Sequence, residues 1–172
     1  MAFTATLSRS NAGATYSAIV TVGMALIIGG ALCFEHIGGY LPCHLCLIER
    51  NPYYFGIPLG IIALLASVYR LPVWITRALL VVIGVMMLIG AGIGAYHAGV
   101  EWGFWAGPSS CTSPAGPATT NAGSLLSTLN AVHGPQCDQA ALRILGVSLA
   151  GWNVVAGVVL GAIAFIGARK AA

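Results

Sequence analysis

Hydrophobic positions in this chain fall in long unbroken runs, unlike the alternating or i, i+3, i+4 patterns of a water-soluble fold. Four long, predominantly apolar stretches carry no Asp, Glu, Lys or Arg: residues 10–34, 51–69, 78–100 and 144–168. A helix that crosses a bilayer needs about 20 apolar residues, and each stretch can supply most or all of one. Spans are therefore expected at about 15–34, 46–69, 74–97 and 145–167, with loops at about 35–45 and 98–144 sharing one side of the membrane. The fold expected is an all-α membrane protein, a four-transmembrane-helix bundle forming a single integral domain over residues 1–172. The first run is longer than the roughly 7–15 apolar residues of a signal-peptide core. No small-residue cleavage site follows Phe34, so the run reads as a retained helix.

The runs differ in kind. Span two opens near Cys43 and contains Pro52 and Pro58, each of which removes a backbone donor, so its outer turn is expected to be offset from its body. Gly56 with Gly60, Gly90 with Gly94, and Gly157 with Gly161 repeat the small-xxx-small spacing that lets membrane helices approach closely. The first outer loop is short. The second is long and rich in Ser, Thr, Pro, Gly and Ala, a composition that cannot bury enough surface to fix one conformation, so it is expected to be mobile. Within it Leu125, Leu126, Leu129 and Val132 share one face of a short helix that could lie on the membrane surface. Trp102, Phe104, Trp105 and Trp152 suit an aromatic belt at the outer interface.

Composition agrees with a chain that lives in lipid: 58% of residues are hydrophobic and 6% charged. The net charge is +3, but the basic residues form no run or patch, so nucleic acid is excluded as a partner. Their placement sets orientation. Arg9 precedes span one, Arg70 and Arg77 separate spans two and three, and Arg169 and Lys170 follow span four, which puts these ends and both termini in the cytoplasm. Glu35, Glu101 and Asp138, against one Arg143, mark the outward loops.

That orientation sends four of five cysteines, Cys43, Cys46, Cys111 and Cys137, to the outer side, where disulfides persist in an oxidising compartment. Cys33 lies in an apolar run and reads as a small buried hydrophobe. Cys43 and Cys46 form a C-x-x-C unit after Pro42, a residue suited to a helix start, whose free N–H groups stabilise a thiolate. Arg50 follows Cys46 by four residues and so shares its helical face one turn deeper. A guanidinium there either pairs with Glu49, snorkels to the surface, or holds a thiolate and the polar oxygen of an electron acceptor. The C-x-x-C unit alone also serves zinc, haem and thioredoxin folds. Leu47 stands where haem attachment needs His, and no βαβ pattern surrounds the pair. Zinc held with His36, His44 or His133 would compete with redox use of the thiols, so no metal is expected.

With these residues in place the chain resembles the disulfide bond formation protein B family. The resemblance rests on Phe34-Glu35-His36, on the run from Pro42, Cys43 and Cys46 to Glu49-Arg50, on Tyr96-His97 through Glu101-Trp102 to Gly107-Pro108, and on Cys111 with Cys137 in the long loop. It implies a bacterial inner-membrane protein with both cysteine pairs periplasmic, acting as a quinone-reducing protein-disulfide oxidoreductase. A DsbA-like thiol oxidase would attack the Cys111–Cys137 disulfide, most simply at Cys111. Cys137 would pass the electrons to Cys43, and Cys46, as thiolate, would reduce ubiquinone or menaquinone near Arg50 and His97. Two other readings compete. One is a reductase like vitamin K epoxide reductase, whose C-x-x-C comes late in the chain, whereas here it opens span two. The other is a scaffold whose disulfides are structural staples.

Overall fold

A computed structural model describes residues 2–108, 111 and 137–171, with side chains from residue 12 onward. Its helices are α1 (Ala2–His36), α2 (His44–Val68), α3 (Val73–Glu101) and α4 (Leu149–Lys170). Each includes a segment long and apolar enough to cross a membrane. The expected all-α four-helix membrane fold is thus what forms. The segment carrying Leu125, Leu126, Leu129 and Val132, and most of the long outer loop, lies outside the described residues.

The helices pack in ring order α1, α2, α3, α4, with α4 closing against α1, so α2 and α4 face each other across a diagonal. The core on the bundle axis takes Met24 from α1, Tyr53 from α2, Met87 from α3 and Ala164 from α4. Outward positions such as Leu26, Phe55 and Trp74 are exposed, as a surface bathed in hydrocarbon requires. Lipid tails are as apolar as these side chains, so close packing, rather than water exclusion, holds the helices together. The glycine pairs permit it. A Cβ on Gly56 would stand 2.6 Å from Met24 Sδ, one on Gly90 3.1 Å from Pro52 Cγ, and one on Gly157 2.9 Å from the Met87 carbonyl oxygen.

Helix ends are set by local chemistry. After α2, Arg70 adopts φ 55°, and the N–H groups of Arg70 and Leu71 donate to the carbonyls of Ser67 and Ala66, a Schellman closure that Pro72 makes final. Gly103 ends α3 in the same way. Pro52 and Pro58 both lie inside one continuous α2. A two-residue hairpin, β1 (Arg143–Ile144) against β2 (Val147–Ser148), leads into α4. Leu145 and Gly146 both have positive φ there, the turn geometry that matches strand twist.

Candidate functional site

The outer end of α2 positions the first sulfurs. Cys43 is its N-cap, extended in backbone, and its Sγ accepts a hydrogen bond from the Cys46 N–H at 3.3 Å. The helix start therefore serves Cys43, the residue that the sequence reading did not choose as the thiolate. Cys43 Sγ and Cys46 Sγ stand 2.6 Å apart as free thiols. Hydrogen bonding from the Cys46 thiol, and then from His97, outweighs burial and pulls the Cys43 thiol down to about 4.

Behind Cys43 runs a buried polar network. His97 Nε2 lies 3.5 Å from Cys43 Sγ, and His97 Nδ1 lies 2.6 Å from Glu49 Oε1. Asn153 Nδ2 donates to Glu49 Oε2 at 2.8 Å, and the Tyr53 hydroxyl donates to Asn153 Oδ1 at 2.5 Å. Glu49 and His97 are 7% and 3% exposed, so the network sits where an unpaired polar group is costly. Glu101 Oε1 approaches His97 Nε2 at 3.8 Å, while Glu101 Oε2 is buried with no hydrogen-bond partner among the described residues.

Arg50 does not pair with Glu49. Its Nη1 donates to Glu35 Oε2 at 2.5 Å, linking the ends of α1 and α2, and its side chain is 12% exposed. Both residues line a cleft of about 770 Å³ reached by all four helices. Its polar end holds Cys43, Cys46, Arg50 and His97, and its wall is apolar, with Ile27 and Phe34 from α1 and Ala156 from α4. Leu26 also lines it and is 71% exposed in the middle of a span, so the cleft opens on a face that lipid would cover.

Cys111 and Cys137 form a disulfide across 26 residues of sequence, with Cα atoms 5.4 Å apart. That disulfide shares one buried cluster with Cys43, Leu45 and Val100, and Cys46 packs on its edge. The two pairs are neighbours. Cys33, expected to be buried, is exposed instead, because the last turns of α1 turn that position away from the other helices. Cys43, Cys46 and His97 also offer ligand atoms within 4.8 Å of one another, a set that exists only while both thiols are reduced. His133 lies outside the described residues.

Sequence reading missed Glu49 as a site residue, and Asn153 and Tyr53 altogether. A carboxylate inside a span beside Arg50 was a usable signal for Glu49. For Asn153 the signal was an amide in an otherwise apolar stretch, although nothing local revealed that Tyr53 would meet it.

Four membrane helices with two cysteine pairs gathered at one end define a multi-pass membrane thiol–disulfide protein. Residues 14–167 match the family described as disulfide bond formation protein DsbB, and the chain belongs to that family. It is accordingly a disulfide oxidoreductase of disulfide-bond formation. An uncharacterized protein of Rickettsia prowazekii (strain Madrid E) is 25% identical over 146 residues, which cover 83% of this chain and 79% of the relative. No solved structure matches the chain.

Proposed function

We propose that this protein reoxidises a periplasmic DsbA-like thiol oxidase and delivers the two electrons to a membrane quinone, ubiquinone or menaquinone. The observation that carries this reading is the meeting of two cysteine pairs at the polar end of one greasy cleft: Cys43 packs with Cys111 and Cys137, and Cys46 lines the cleft with Arg50. The chain would sit as one membrane domain in the bacterial inner membrane, both termini cytoplasmic and both pairs periplasmic, as the distribution of Lys and Arg favours.

The chain's own steps follow from thiol–disulfide exchange, in which a thiolate attacks one sulfur and expels the other. The partner's thiolate attacks Cys111 and releases Cys137. A second partner thiolate frees Cys111 and leaves the partner oxidised. Cys137 then attacks Cys43 in a Cys43–Cys46 disulfide and expels Cys46, and Cys111 closes on Cys137 to complete the transfer. Each exchange moves one disulfide and conserves electrons.

A quinone, when bound, supplies the sink that accepts two electrons and two protons. The cleft suits it: about 770 Å³ falls within the roughly 300–1,000 Å³ of small-molecule sites, and its wall is apolar. Arg50 would donate to a carbonyl oxygen, and His97 would border the ring.

The test is quinone consumption by purified protein given a reduced DsbA-like partner, followed by ultraviolet absorbance. One quinone should be consumed per partner disulfide formed. Cys46→Ser should abolish turnover. Arg50→Ala should raise the quinone KM about tenfold or more, the worth of a charge-assisted hydrogen bond of about 1.5–3 kcal/mol. Partner oxidation that proceeds without quinone loss would refute the reading, and so would full quinone turnover in Cys46→Ser.

A further inference from the structure

We propose that Asn153 and Tyr53 are positioning residues for the redox step: through Glu49 they hold His97 with Nε2 aimed at Cys43, so that His97 holds the proton Cys43 has given up and keeps Cys43 a thiolate ready to close the Cys43–Cys46 disulfide. This rests on the quinone-reducing reading above for its chemistry, but not for its geometry.

The hydrogen bonds have a direction. The Glu49 carboxylate only accepts, so it takes Asn153 Nδ2–H at Oε2 and leaves Asn153 Oδ1 to accept from the Tyr53 hydroxyl. Asn153 cannot flip without setting its Oδ1 against the Glu49 carboxylate oxygen, acceptor against acceptor. With one oxygen so occupied, Glu49 accepts from His97 Nδ1 through the other. A neutral His97 then carries its hydrogen on Nδ1 and leaves Nε2 as an acceptor, 3.5 Å from Cys43 Sγ. The arrangement has the logic of a nucleophile, base and orienting carboxylate, extended by an amide and a phenol.

The chain crosses the bundle diagonal. Tyr53 and Glu49 belong to α2, Asn153 to α4 and His97 to α3. Asn153 reaches the interior because Gly94 has no side chain there: a Cβ at that position would lie 3.3 Å from Asn153 Nδ2. Both ends of a half-buried amide in a span are thus paired within the protein, although an apolar residue would fill the space at less desolvation cost.

The proton balance is complete. When Cys43 and Cys46 form their S–S bond, two thiols lose two electrons and two protons. A bound quinone would supply the sink for the electrons. The proton that Cys43 has already given up, held on His97 Nε2, and the Cys46 proton are the two that a reduced quinone would gain. Among the described residues, the charged or titratable groups facing Cys43 and His97 are Cys46 and Glu49 from α2 and Glu101 from α3.

A purely structural strut would stabilise the bundle without touching the titration of Cys43. The experiment therefore reads that titration in protein carrying Cys33→Ala and Cys46→Ser, with the outer disulfide intact, so that Cys43 is the single free thiol. Thiolate ultraviolet absorbance is followed against pH. Adding Asn153→Leu should move the midpoint upward by about one unit, tenfold less thiolate at a given acidic pH. Tyr53→Phe, which keeps the ring packing and removes one O–H, should move it the same way by less. In the otherwise unaltered protein both substitutions should lower kcat with the quinone KM held within about twofold, and should flatten the acid limb of the pH profile. Midpoints unchanged in both variants, with helicity and monodispersity retained, would overturn the proposal. A shifted midpoint in a protein whose unaltered form consumes no quinone would refute the function proposed above and leave the positioning role standing.

Discussion

Glu49 shows what a single residue must do to survive inside this bundle. Both of its oxygens accept a hydrogen bond, from His97 and from Asn153, and its side chain is almost fully enclosed. Glu49→Ala would strand the buried His97 donor and the half-buried Asn153 donor, at about 1–3 kcal/mol each. The variant is expected to lose about 2–5 kcal/mol of stability, seen as a lower unfolding temperature in detergent. At Cys43 the same neighbourhood acts on a charge. Its thiol is drawn below the ordinary range chiefly by the hydrogen bond from Cys46, so the thiolate is fully present at neutral pH and is lost only as the pH falls toward about 4. In the reduced, otherwise unaltered protein its thiolate band should therefore persist through mildly acidic buffers; a midpoint near the ordinary thiol value of about 8.5 would contradict this.

At the scale of helices, packing is written in the glycines that touch something. A Cβ on Gly157 would meet the Met87 carbonyl oxygen at 2.9 Å, and backbone cannot swing aside as a side chain can. Gly157→Ala should force α3 and α4 apart and lower the unfolding temperature. Gly92→Ala, on the same α3 but with nothing within 4 Å of its Cβ, should be neutral or stabilising by up to about 1 kcal/mol through helix propensity. The contrast between the two melting curves is the measurement. Such helices were legible in the sequence because a run of apolar residues between charges has only one way to satisfy its backbone in lipid. Cys43, Cys46 and Arg50 were legible for a related reason: polar chemistry in an apolar stretch stands out. What was not legible needed three dimensions. Whether Arg50 would meet Glu49 or Glu35 depends on how α1 ends beside α2, and the exposure of Cys33 depends on which face of α1 turns from the bundle. The bond between Tyr53 and Asn153 depends on a diagonal that no spacing along one helix encodes.

The whole molecule places two kinds of chemistry side by side, and they should be separable. Cys111 and Cys137 lie outside the spans but pack in one cluster with Cys43, while Cys46 and Arg50 face the cleft. If the outer disulfide serves as the docking relay for a protein partner, its loss should block the long route and spare the short one. Protein carrying Cys111→Ser with Cys137→Ser should still oxidise a small dithiol such as dithiothreitol at the expense of quinone, because a dithiol small enough to enter the cleft meets Cys43 and Cys46 on its wall. Its rate with a reduced DsbA-like partner should fall by at least about a hundredfold, which corresponds to about 2.7 kcal/mol of lost transition-state stabilisation. Following quinone absorbance with each reductant in turn tests both halves. A staple would behave otherwise: removing a disulfide that closes a loop of this length destabilises a protein by about 2–4 kcal/mol, and both reductants would then suffer together as the bundle loosened. Equal loss with the two reductants would therefore favour a structural role, and selective loss of the protein partner would establish that the outer pair carries electrons.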